Sequence, residues 1–213
     1  MKSTFKPLIL CGLLAVAAVQ AAHAGKEVID TKTEAVLFSP FDRGMREFQI
    51  SAGALFSLNN RGEKRPTIDD VDLSLRLGWM LNTPSGESCL RGNFEFLAEA
   101  FGGAVVDGPG DGLGGITLLL RYNFVQPATR WVPYFQVGAG GVYSNIYEDH
   151  VQRLIGRSVE FNLQAGLGLR YICSERCSVF VEADYRHISN ADTADRNLGL
   201  NSIGGLIGAG FSF

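Results

Sequence analysis

Between residues 46 and 213 one pattern returns eight times: a stretch of about ten residues in which apolar side chains alternate with polar or small ones. Phe48, Ile50, Ala52, Ala54 and Phe56 open the series, with Gln49, Ser51 and Gly53 between them. Val71 to Trp79, Phe94 to Ala100, Ile116 to Phe124, Phe135 to Tyr143, Phe161 to Leu169, Val179 to Ser189 and Ile203 to Phe213 repeat it. Successive side chains of a strand point to opposite faces, so each stretch is a β-strand with one greasy face. The connections alternate too. Tight turns follow the second, fourth and sixth strands, at Thr83–Gly86, Gln126–Thr129 and Cys173–Cys177. Long polar loops follow the first, third, fifth and seventh.

Strands of this length cross a bilayer when tilted, and short turns alternating with long loops are the layout of an outer-membrane barrel. The expected fold is therefore all-β, an eight-stranded antiparallel up-and-down transmembrane β-barrel over residues 46–213 in the bacterial outer membrane. A soluble lipocalin-like barrel also has eight antiparallel strands, but it turns its apolar face inward. Two features favour the membrane form. The less apolar face carries Arg76, Glu95, Glu99, Arg121, Arg170, Glu182, Asp184 and Arg186 beside many glycines, which suits a narrow interior of paired charges. Aromatic residues such as Trp79, Tyr122, Tyr143, Tyr171 and Phe213 gather near strand ends, where interfacial girdles lie.

Lys2 and Lys6, an apolar run from Leu8 to Val19 and the small-x-small site Ala22-His23-Ala24 read as a secretory signal over residues 1–24. Residues 25–45 show no periodicity and are expected to form an entry segment with a short helical turn. Cys11 leaves with the signal, so Cys89, Cys173 and Cys177 remain in an oxidising compartment. Cys173 can close a bridge to Cys177 across its turn, or Cys89 can pair with either; metal ligation is the weaker reading, since no histidine is near. The formal charge of −3, or −5 without the two early lysines, offers no basic surface for nucleic acid.

His150 and His187 are the histidines outside the signal. His150 neighbours Glu148 and Asp149 and reads as a solvated loop residue. His187 lies on the greasy face of the seventh strand with Ser189 as its same-face neighbour, about 7 Å away along the strand. A side chain pair at that spacing can form the hydrogen bond by which imidazole takes a serine proton. The plain alternative is a polar pair at headgroup depth that hydrogen bonds to water.

The run His187-Ile188-Ser189-Asn190, followed by Asn197-Leu198-Gly199 and a final strand, resembles the outer-membrane lipid A 3-O-deacylases (PagL-type, acyloxyacyl hydrolase family). The motif occupies about the last thirty residues; the barrel layout extends the resemblance in general form. The resemblance implies His187 as general base, Ser189 as nucleophile, and Asn190 and Asn197 as oxyanion donors or loop supports. The family's orienting glutamate falls at Asn201, a neutral amide that can hold an imidazole but not stabilise its positive charge. Asp192 and Asp195 are the loop acids that can stand in for it, against a plainer reading as solvated carboxylates. It further implies lipopolysaccharide (lipid A) as substrate and outer-membrane lipids as surroundings, with no cofactor or metal and with a homodimer left open. The contrasting reading is a non-enzymatic small barrel of the OmpA or OmpX kind with a structural or surface-interaction role.

Overall fold

Each strand of the chain is hydrogen bonded to both its sequence neighbours, and the last returns to the first. The computed structural model describes residues 39–58 and 65–213. The expected signal, residues 25–38 of the entry segment and residues 59–64 of the first long loop lie outside the described residues. The eight strands are β1 (Arg46–Ser57), β2 (Asp69–Met80), β3 (Asn93–Asp107), β4 (Gly112–Asn123), β5 (Trp131–Ser144), β6 (Val159–Ile172), β7 (Cys177–Ser189) and β8 (Leu200–Ser212). They form a closed barrel in sequence order, with β1 and β8 antiparallel from Glu47↔Ser212 to Ser57↔Ser202. Closure satisfies every strand's backbone groups without water, which is what a strand in hydrocarbon requires.

Several strands run past their expected ends, β4 from Gly112 and β5 from Trp131 among them. β3 continues seven residues beyond Ala100, because it pairs with β2 as far as Asp107 and with β4 as far as Ala104, although the run Gly102-Gly103-Ala104 blurs the alternation. β8 starts at Leu200 rather than Ile203, which makes Asn201 a ladder residue directly opposite His187. The described part of the entry segment supplies turns at Pro40–Gly44, and Phe41 folds under the barrel.

The outward face is the greasy one. Ile50, Leu73, Leu118, Val137, Leu163, Val181 and Ile207 are all exposed, while their alternates point inward. At the short-turn end Trp131 packs against Tyr171 with centroids 4.7 Å apart and the rings tilted by 55°, and Tyr122 contacts Phe94 at 4.9 Å and Phe124 at 5.0 Å. Such rings suit the bilayer boundary, where a large apolar body meets water. Cys89, Cys173 and Cys177 are free thiols at that same end. Cys173 N–H donates to Cys177 O at 2.9 Å across the three-residue turn.

The interior has three zones. Phe41, Met80 and Val132 close the short-turn end. Near the long loops, Ile68, Phe101, Leu113, Val142, Ile146, Leu154, Ile155, Ile188 and Leu200 pack into an apolar cap. Between them lies a buried ionic layer. Glu182 accepts two bonds from the Arg76 guanidinium, at 2.8 and 3.0 Å, and also binds Tyr134 Oη at 2.7 Å and Gln136 Nε2 at 3.0 Å. Arg76 Nε reaches Glu99 at 2.5 Å, Arg121 faces Glu95 at 3.4 Å, and Arg170 meets Glu47 at 2.8 Å. Arg121 also lies 4.2 Å above the Tyr134 ring. Buried charges persist only when paired and hydrogen bonded, and eight strands leave just enough room for side chains to fill the lumen.

Glu182→Ala strips Arg76 of its bidentate partner, and breaking a buried pair costs about 3–5 kcal/mol. In detergent, the folded, fast-migrating gel band of this variant should convert to the unfolded form at a lower temperature than that of the parent chain. An unchanged conversion temperature would remove the ionic layer from the list of stabilising features.

Candidate active site

Ser189 is the last residue of β7, so it stands where the barrel wall meets the long loop of residues 190–199. Period two places Tyr185, His187 and Ser189 in one outward-facing column, while Arg186 and Ile188 are buried. The register puts Leu163 and Phe161 of β6 beside His187 and Ser189 on one side, and Asn201 of β8 beside His187 on the other. Phe161 is 56% exposed and Ile203 42%, so the polar group is framed by apolar side chains that face lipid.

The geometry is a relay. His187 Nε2 lies 3.1 Å from Ser189 Oγ, and His187 Nδ1 lies 2.8 Å from Asn201 Oδ1. An amide oxygen only accepts, so Nδ1 carries the ring proton and donates to it. Nε2 is then the lone-pair nitrogen, which accepts from the Ser189 hydroxyl. That tautomer is the one in which a histidine can act as a base toward serine. Asn201 stands where a strand-borne acid would, held by direct cross-strand pairing.

The surrounding loop is fastened by bonds that do not involve the reacting atoms. Asn190 N–H donates to Asn197 Oδ1 at 2.8 Å, and Asn197 Nδ2 donates to Asp192 Oδ1 at 2.8 Å. The buried Asn190 side chain donates to Glu160 Oε1 at 3.0 Å and Arg196 O at 2.8 Å. Both asparagines thus hold the loop, and Asp192 is engaged by Asn197. Asp195 is exposed in the loop, as is His150 in the preceding one. Ala191 and Asp192 adopt φ of 51° and 61°, a left-handed turn that Thr193 closes by donating to Asn190 O from its N–H and its hydroxyl.

The loop after β5 braces it from the other side. Arg196 donates to the carbonyls of Asp149 and Tyr147, each at 2.6 Å. Leu198 N–H and Gly199 N–H donate to Arg153 O and Leu154 O at 3.0 and 3.1 Å. Glu160, Arg196 and the Tyr185 hydroxyl are parts of this site that carry no local signature, because their partners lie far away in sequence. A hollow of about 320 Å³ opens between the two loops, lined by Arg153, Asp192, Ala194, Asp195, Asn197 and Leu198. Among the described residues no group of three or more His, Cys, Asp or Glu side chains is placed to hold a metal ion.

A family model described as lipid A 3-O-deacylase (PagL) matches residues 69–209, a span that includes the whole relay. No curated protein sequence matches the chain. Among solved structures, the crystal structure of the outer membrane enzyme PagL is similar at 20% identity and a TM-score of 0.50, covering 76% of this chain and 97% of that one. Neisserial surface protein A (NspA) is similar at 14% identity and a TM-score of 0.56, covering 80% of this chain and all of that one. Likeness at such identities is a likeness of fold.

Gly199 closes the site from behind. Its φ is 73°, and a Cβ added there would lie 2.9 Å from His187 Cε1. Gly199→Ala is therefore strained in its own backbone and crowds the imidazole. Misplacement of a catalytic group by about 1 Å costs roughly a hundredfold in rate. This variant should fold into the barrel, by its heat-dependent gel shift, while any ester hydrolysis that rests on the relay falls by about 10- to 100-fold.

Proposed function

Because this chain belongs to the PagL lipid A 3-O-deacylase family, we propose that it is an outer-membrane serine esterase that removes the 3-O-linked 3-hydroxyacyl chain from lipid A. The observation that carries this reading is the relay itself: Ser189 Oγ, His187 Nε2 and Nδ1, and Asn201 Oδ1 in consecutive hydrogen-bond contact on the lipid-facing side of the wall. A water-soluble substrate would have no reason to approach that side. An acylated glycolipid of the outer leaflet presents its ester bonds there, at the junction of sugar and hydrocarbon.

In the proposed reaction Ser189 Oγ attacks the carbonyl carbon of the ester while His187 Nε2 takes the hydroxyl proton. The tetrahedral intermediate collapses with cleavage of the bond to the sugar oxygen, which receives that proton from Nε2. Water then attacks the acyl-serine with Nε2 again acting as base, and the 3-hydroxy fatty acid leaves as Ser189 is restored. His187 becomes positively charged in each half. Asn201 keeps the ring in the right tautomer and plane, and Asn190 and Asn197 keep Ser189 at the end of a fixed loop.

The fold is shared with a protein described as a surface protein, so the barrel by itself does not make an enzyme. Purified protein in detergent, incubated with lipid A bearing a 3-O-acyl group, separates the two readings. The product should lack one hydroxyacyl chain by mass spectrometry, and Ser189→Ala and His187→Ala should each lower the rate by at least about a thousandfold. Intact lipid A with the parent chain, or hydrolysis indifferent to both substitutions, would favour the non-enzymatic barrel.

Asn201→Asp tests the departure at the third position. A hydrogen bond to a carboxylate is about twice as strong as one between neutral groups, and it stabilises the imidazolium. The variant should raise kcat by about fivefold to tenfold; a lower kcat would mean that the amide does something a carboxylate cannot.

A further inference from the structure

An amide in the orienting position has a weakness that a carboxylate lacks: its two ends are chemically opposite. If the Asn201 side chain turned over, Nδ2 would face His187 Nδ1, and an N–H donor there requires a lone pair on Nδ1. The ring proton would move to Nε2, which would then donate to Ser189 Oγ instead of taking its proton. The relay would keep its distances and lose its function. Something must therefore decide which end of Asn201 faces the histidine.

Tyr185 is placed to decide it. It precedes His187 by one outward-facing position on β7, and it pairs with Ile203, so Asn201 is its diagonal neighbour across the β7–β8 ladder. Diagonal neighbours lie within reach of aromatic side chains. Its hydroxyl donates to Asn201 Oδ1 at 2.7 Å, the same oxygen that accepts from His187 Nδ1 at 2.8 Å. The ring is 38% exposed on the lipid-facing wall, where acceptors for a phenol proton are scarce. With the amide oxygen toward it, the hydroxyl proton has a partner. With the amide nitrogen toward it, the hydroxyl can still accept, but its own proton loses that partner.

We propose that Tyr185 is a positioning residue: its hydroxyl holds the Asn201 amide oxygen-first against His187, and so keeps His187 in the tautomer that accepts the Ser189 proton. The effect on rate rests on the hydrolase reading above; the effect on the tautomer does not. A carboxylate presents an acceptor at both ends, so the need for Tyr185 should vanish when position 201 carries an acid.

The test uses the full chain in detergent as four proteins: parent, Y185F, N201D and Y185F/N201D. With ring-15N-labelled histidine, at a pH where the imidazole is neutral, the parent should show His187 with Nδ1 protonated and Nε2 bare. Y185F should show a population with the proton on Nε2, and the double variant should return to the parent pattern. In lipid A hydrolysis Y185F should lower kcat about threefold to tenfold, the worth of one net hydrogen bond, with KM unchanged. In the N201D background the same substitution should change kcat by less than about twofold, so the two sites are coupled rather than additive. An unchanged tautomer in Y185F, or an equal loss of kcat in both backgrounds as a packing role would give, overturns the proposal. A parent chain that leaves lipid A intact would defeat the hydrolase reading instead, and the nitrogen spectra would still judge Tyr185.

Discussion

Hydrocarbon offers no partner to a peptide N–H or C=O, so each of the eight strands depends on both neighbours, and β8 on β1, for its backbone bonds. That dependence reaches the chemistry of the site. Closing the ring fixes the β7–β8 register from Cys177↔Phe211 to Ile188↔Leu200, and within it His187 must face Asn201. A slip of β8 by one residue would turn Asn201 into the lumen and break the relay along with the wall. The third member of the relay is thus held by the same ladder that makes the barrel possible.

The lumen answers a second demand of the same geometry. A barrel this narrow cannot hold an open water column, so polar side chains that face inward must satisfy one another. Arg76, Arg121 and Arg170 meet Glu99, Glu182, Glu95 and Glu47, with Tyr134, Gln49 and Gln136 adding further bonds. The layer couples β1 through β7 across the interior. Above it, the apolar cap includes Ile188 and Leu200, the inward neighbours of His187 and Asn201. The outward-facing pair is therefore backed by a packed core, which keeps the relay on a rigid wall rather than on a loop.

The loops supply what the wall cannot. Ser189 ends a strand, and its far side is held only because the loops after β5 and β7 are tied through Arg196, Glu160 and Asn190. Asn190, Asn197 and Asp192 bond to one another, to Glu160 and to Arg196 O rather than to Ser189. In the proposed reaction a lipid substrate would approach along the wall, and water would follow once the acyl-serine has formed. Both are needed if an acyl-serine is to form and then be hydrolysed.

Period two was legible without coordinates, and so were the eight strands, their inward and outward faces, the alternation of turns and loops, and the column of His187 and Ser189. Those features are local: a side chain's face follows from its own place in a strand. The ends of β3 and β8 were less legible, since Gly102-Gly103 and the loop-like run before Ile203 carry little alternation, and pairing with neighbours decides where such a strand stops. Tyr134 as a partner of Glu182, Arg196 as a clamp and Tyr185 as a partner of Asn201 had no sequence signal, because each depends on a residue 16 or more positions away. By itself, then, the sequence determined which residues could line the lipid, the lumen and the motif. Tertiary structure alone decided which of them touch, because cross-strand register and loop contacts are set by the closed hydrogen-bond ladder and not by any stretch of chain on its own.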